Sequence, residues 1–235
     1  MDENQLGLVL YHNLKDKRDF FKGTFASNEL NHDDLLVDDF DEPICFSFIV
    51  NNLQRENAKD MGHWLSVFVK LTGKKLYFKF VDSFKMPYTF YGKYIKEYVD
   101  HLRLSSMENN VQFIFEEIPF GLQSFKSHSC GGYAVYSVLS LKNCNSTTLR
   151  KIFSSFDPKE KMANDIFVEE YVVEKWPRTF CTDIFNKYNK VPFCSQKVFG
   201  RPGCLLKCRC TKKNCCDKLQ SVEYIRPNIK RIFSY

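Results

Sequence analysis

The chain has 235 residues, 44% of them hydrophobic, with 23 Phe and 12 Tyr against only 10 Gly. That composition suits one globular domain with a sizeable core, excludes a disordered or low-complexity chain, and offers no apolar run approaching the ~18 residues of a membrane helix. The net charge of +6 is uneven: Asp33, Asp34, Asp38, Asp39, Asp41 and Glu42 crowd one stretch near the N-terminus, while the C-terminal end is strongly basic and suits a polyanionic partner.

The polar start MDENQ does not read as a secretory leader, so a soluble protein in a reducing, intracellular setting is expected. Residues 4–15 carry apolar side chains at helical spacing, and the acidic stretch 31–43 reads as a solvated loop. ICFSFIV is a short apolar strand. The alternating segments HWLSVFVKL and KKLYFKFVDS form a hairpin around Thr72-Gly73. With those two residues as the turn, cross-strand partners have numbers summing to 145. Val69 then faces Leu76, Val67 faces Phe78, Leu65 faces Phe80, and His63 faces Asp82.

Residues 88–104 read as a helix and VQFIFEEI as another strand. Helices are expected from Cys130 onward, over TTLRKIFSSF with Asn145 or Ser146 as N-cap, over NDIFVEEYVVEKW up to Pro177, and over FCTDIFNKY. The order predicts an α+β domain with a mixed, mostly antiparallel sheet flanked by helices, over residues 1–192, followed by a basic Cys-rich segment over 193–235.

The ten cysteines divide into two groups. Cys45, Cys130, Cys144, Cys181 and Cys194 are scattered and read as free thiols. Cys204, Cys208, Cys210, Cys215 and Cys216 crowd one segment at a spacing that matches no common zinc finger. Three states suit that cluster: a structural Zn²⁺, disulfides in an extracellular particle, or plain thiols. The lysines and arginines between them favour phosphate contacts, hence DNA.

One constellation carries chemistry. A thiol becomes a strong nucleophile as a thiolate, which a helix N-terminus and a neighbouring imidazolium both favour. Cys130 opens the apolar run GGYAVYSVLSL and so sits at such a terminus. His63 opposite Asp82 supplies a base with an orienting carboxylate. Gly131 and Gly132 suit a first turn whose backbone approaches a ligand closely, and Gln123 offers an amide donor for an oxyanion. His12, His32 and His101 read as surface residues, and His128 lacks an orienting carboxylate.

The order His, Asp, Gln, Cys, the HW pair at His63-Trp64 and the Q-x6-CG spacing from Gln123 to Gly131 resemble the adenovirus-type (adenain-like) cysteine proteases of adenoviruses and virus-like transposons. FFKGTF and FIVNNLQRENAKDMGHW are similar to further stretches of that family, and the likeness covers roughly residues 15 to 142. It implies a papain-like, adenain-type fold with Cys130 as nucleophile, His63 as base, Asp82 as its orienter and Gln123 in the oxyanion hole. Trp64, on the opposite hairpin face from His63, is expected to pack around the site.

The implied activity is cleavage of capsid or other virion precursors at small, Gly-rich sites by a monomer in the host nucleus or the virion, with no cofactor required for the chemistry. An activating peptide or DNA is a family trait. No cysteine lies between Asp82 and Cys130, however, so a peptide disulfide-linked at that place is not expected. The alternatives are a SUMO- or ubiquitin-like deconjugating protease, whose relatives keep a shorter Gln-to-Cys gap, and a nucleic-acid- or capsid-binding protein without enzymatic activity.

Overall fold

Asp2 opens helix α1 (Glu3–Asn13) through a reciprocal capping box: the Gln5 amide donates to Asp2 Oδ1, and the Asp2 amide donates to Gln5 Oε1. Leu6, Val9 and Leu10 line its buried face. The structure, a computed structural model, describes residues 1–57, 62–145 and 147–176; the expected helix FCTDIFNKY and the Cys-rich segment lie outside them.

Five strands follow one another in space in chain order: β1 (Phe21–Ala26), β2 (Ile44–Asn51), β3 (Trp64–Thr72), β4 (Lys75–Val81) and β5 (Gln112–Glu117). The β2–β3 and β3–β4 junctions are antiparallel, but β1–β2 and β4–β5 are parallel. The sheet is therefore mixed, as expected, but its junctions divide evenly between parallel and antiparallel rather than being mostly antiparallel. Its last junction is parallel because helix α2 (Lys93–Glu108) carries the chain back to the starting end of β4.

Alternation along β3 and β4 serves two cores. Leu65, Val67, Val69, Leu76, Phe78 and Phe80 face α2, contributing with Ile95, Val99 and Leu102 to one cluster. Phe68 and Val81 join the other, beneath α1, helix α3 (Cys130–Leu141) and residues of the C-terminal helices. Helices thus cover both faces of the sheet. Arg55 ties α1 to the loop after β1 through ion pairs with Glu3 and Glu29 at 2.6 and 2.5 Å.

The hairpin register differs from the expectation by two residues. Thr72 pairs with Lys75, Val69 with Phe78 and Val67 with Phe80, so paired numbers sum to 147. Gly73 and Lys74 form the turn, with Gly73 at φ +54° in the first central position, where a two-residue hairpin of the II′ class demands glycine. A shift of two leaves each side chain on its expected face.

Three further expectations change. Helix α4 (Leu149–Ile152) is capped by Thr148, whose hydroxyl accepts from the Lys151 amide, not by Asn145 or Ser146. Gly131 and Gly132 serve packing: a Cβ would stand 3.2 Å from Met1 Cβ and 3.1 Å from Val168 Cγ2, respectively. The small residues thus let α1 and helix α5 (Lys161–Lys175) close on the first turn of α3.

The third concerns Cys45 and Cys144, which are joined in a disulfide and are not free thiols. The sheet brings them together. Lys70, paired with Cys45 across β2–β3, also donates to the Cys144 carbonyl at 2.8 Å. The link closes a separation of 99 residues that includes His63, Asp82, Gln123 and Cys130. Replacing both cysteines by Ser is expected to cost about 2–4 kcal/mol of unfolding free energy. Urea denaturation of the two proteins checks this, and equal midpoints would show that the link contributes nothing.

Candidate active site

His63, Asp82 and Cys130 each sit at the end of a regular element, and Gln123 lies in the loop between β5 and α3. His63 immediately precedes β3. The Asn52 side chain accepts from the His63 amide at 2.6 Å, and the Asn52 amide donates back to the His63 carbonyl at 3.0 Å. Gly62 is required just before it, because a Cβ there would meet Asn51 Oδ1 at 1.9 Å. The polar pair following β2 therefore sets where the imidazole starts.

Asp82 immediately follows β4 and is almost wholly buried. Its Oδ1 lies 2.7 Å from His63 Nε2 and accepts from the Phe84 amide at 3.0 Å, while Oδ2 accepts from the Met86 amide at 2.5 Å. Bonds from the amides two and four residues on fix the carboxylate in an Asx-type turn. The register shift explains why it reaches His63 diagonally: continuing the sum of 147 sets Phe84 opposite His63. The Phe84 and His63 rings do stack, with centroids 4.8 Å apart.

Cys130 is the first residue of α3, and its buried thiol interacts with the His63 imidazole. Its amide belongs to the first-turn donors that a helix leaves without an internal acceptor. Burial alone would raise the thiol. The hydrogen bond with His63, the imidazolium charge and the Trp64 amide outweigh it and hold Cys130 below the ordinary thiol range. Burial would likewise depress His63, but its bonds with Asp82 and Cys130 prevail and push it up to about 9. Both shifts favour a thiolate–imidazolium pair backed by a carboxylate.

Gln123 is fully buried and held on both sides. Its Oε1 accepts from Ser83 Oγ at 2.5 Å, and its Nε2 donates to the Ser127 carbonyl at 2.9 Å. The Ser83 carbonyl accepts from the amides of Leu122 and Gln123. Ser83, next to Asp82, thus clips the Gln123 loop to the Asp82 loop. Trp64 packs on the side away from His63 as expected, its Nε1 donating to the Met1 carbonyl at 2.9 Å. His12, His32, His101 and His128 are all exposed.

Several residues around the site were not singled out in the sequence. Ser129 precedes the nucleophile and donates its hydroxyl to Glu169 Oε1 of α5 at 2.6 Å, with both side chains buried. Burial raises Glu169 to about 7. Tyr91, also buried, stacks on His63 with centroids 5.6 Å apart. A short polar residue directly after an apolar strand, as in Val81-Asp82-Ser83, is a turn signal that points to Ser83. No local pattern points to Glu169 or Tyr91, which arrive through tertiary packing. Among the described residues no group of His, Cys, Asp or Glu could hold a metal ion, and the five crowded cysteines lie outside them.

No family model matches the chain. No curated protein matches it either. Among solved structures it is similar to the selenomethionine form of the ASFV pS273R protease, with a TM-score of 0.49 and 11% identity over 72% of this chain and 66% of that one. A second structure of the ASFV pS273R protease gives 0.44 and 14% over 71% and 68%. An AvrA deletion variant with IP6 and CoA gives 0.36 and 12% over 76% and 65%. The chain spans just under two thirds of the length of the first of these. At such identities and scores none of them assigns a function.

Proposed function

We propose that the protein is a cysteine-type endopeptidase working through an acyl-enzyme. The observation that carries this reading is the buried series Asp82–His63–Cys130, with a 2.7 Å bond between its first two members and a depressed thiol at the start of a helix. A structural cysteine needs neither an imidazole nor a carboxylate behind that imidazole. A nucleophile needs both.

In the proposed reaction the Cys130 thiolate attacks the scissile carbonyl carbon, and the carbonyl π electrons move onto oxygen. The Cys130 amide and the Gln123 side chain form the proposed oxyanion hole, with Gln123 Nε2 exchanging its bonds to the Ser127 carbonyl and hydroxyl for the oxyanion. Protonated His63 gives its proton to the leaving nitrogen as the C–N bond breaks. It then takes a proton from the water that attacks the thioester, and the sulfur leaves as thiolate. Asp82 holds the ring orientation and stabilises the imidazolium.

The finer assignment rests on the resemblance to adenain-like proteases that the HW and Q-x6-CG motifs carry: virion or capsid precursors cut beside small residues, in the virion or host nucleus, by a monomer. DNA contact through the basic C-terminal segment and an activating peptide or DNA belong to the same proposal.

A Gly-Gly peptide vinyl sulfone tests the reading. Covalent capture at Cys130, blocked by prior alkylation, is expected. Modification spread over other cysteines with Cys130 untouched would refute it. Cleavage of Gly-Gly peptides but not of SUMO or ubiquitin fusions separates precursor processing from deconjugation.

A further inference from the structure

The catalytic imidazole belongs to a series of stacked rings that ends in solvent. Tyr91, in the core, stacks on His63 with planes 15° apart. His63 stacks on Phe84 with planes 24° apart, and Phe84 stacks on Phe125 with centroids 5.4 Å and planes 10° apart. Phe125 is 79% exposed, the most exposed of the large apolar side chains among the described residues.

This ring is exposed but held. Phe84 supports one face, and Lys161 Nζ of α5 lies 5.3 Å from its centroid. The loops beneath are pressed together, since a Cβ on Gly121 would stand 2.9 Å from the Phe84 carbonyl oxygen. A fixed, solvent-facing aromatic surface continuous with the base gains nothing for the fold, because its apolar area remains in water.

We infer that Phe125 and Phe84 form the subsite for an apolar, preferably aromatic, side chain on the substrate residue that supplies the leaving amine. The inference rests on the proteolytic reading above and deepens it. His63 must hand its proton to the leaving nitrogen, so the residue bearing that nitrogen lies against the imidazole. The rings leading outward from the imidazole are then its neighbours. Lys161 stands beside the exposed ring, and Lys126 follows Phe125 in the chain, so a cationic side chain is disfavoured there. Small residues on the acyl side and an aromatic residue on the amine side are compatible demands.

The reverse of acylation tests this without knowledge of the natural cleavage sequence. N-acetylglycine p-nitrophenyl ester acylates Cys130 with release of p-nitrophenolate, and an amino-acid amide then competes with water for the thioester. The amine nitrogen bonds to the acyl carbon, the C–S bond breaks, the amine proton passes to His63, and sulfur leaves as thiolate. The ratio of amide to acid product is a property of the acyl-enzyme and is independent of how fast it forms.

Phenylalaninamide is expected to capture the acyl group about tenfold more effectively than glycinamide, as burial of an aromatic side chain allows, and argininamide less well than phenylalaninamide. In Phe125→Ala the preference for phenylalaninamide should fall to about twofold, with Phe125→Leu between the two. An unchanged ratio in Phe125→Ala overturns the subsite and leaves the protease reading standing. A p-nitrophenolate burst that is absent, or that survives in Cys130→Ala, removes the acyl-enzyme reading itself and the subsite with it.

Discussion

Cys130→Ala is expected to lower turnover of a cleavable Gly-containing peptide by roughly 10⁴-fold or more, because the variant has no nucleophile with which to form the acyl-enzyme. The substitution removes only the sulfur of a buried side chain, so the fold should persist with an unchanged far-UV circular dichroism spectrum. A second readout separates loss of chemistry from loss of structure. The hydrogen bond and charge of Cys130 are among the interactions that raise His63 to about 9. Their removal leaves burial opposed by Asp82 alone, so the His63 ring should titrate lower in the variant, as followed by NMR. Undiminished turnover would place the nucleophile elsewhere.

Asp82→Asn should have the next largest effect. The carboxylate engages His63 Nε2 and the amides of Phe84 and Met86 with its two oxygens, whereas an amide has one acceptor oxygen to offer and no charge. A loss in kcat/KM of roughly 10²–10⁴-fold is expected, by analogy with a triad whose carboxylate is neutralised. The pH dependence of stability carries a sign. The folded value of His63, about 9, lies above the ordinary imidazole value of about 6.5. Stabilisation by its partners is therefore complete below the lower value and lost as pH rises through the higher one. The destabilisation caused by Asp82→Asn should be greatest near pH 6 and shrink above pH 9, measured by urea unfolding at both. An equal penalty at both would mean that the carboxylate acts only through its backbone bonds.

Three of the candidate site residues carry a local signature in the sequence. Cys130 opens an apolar helical run, and the alternating hairpin puts His63 and Asp82 on one face whichever even register it adopts. The register itself was misplaced by two, since only the backbone reveals Gly73 in the first rather than the second turn position. The parallel strand β1 has no clear mark in the sequence, because FKGTFA is short and half-buried without clean alternation. The Cys45–Cys144 link joins residues that only the sheet order brings together, and nothing local marks either. Phe84 and Tyr91 come from the β4–α2 connection and Phe125 from the β5–α3 loop, so their series of rings is a product of tertiary packing. Ser83 and Asn52, which hold the loops of Gln123 and His63, lie beside recognisable residues but act through bonds that spacing does not encode.

The pH dependence of iodoacetamide alkylation at Cys130, mapped by mass spectrometry of the modified peptide, bears most directly on the central claim. With His63 stabilising the thiolate, the rate should rise and level off at a lower pH than for an ordinary thiol. A rate that instead climbs with the titration of an ordinary thiol, near pH ~8.5, would mean that Cys130 is a buried structural thiol and that His63 and Asp82 do not activate it.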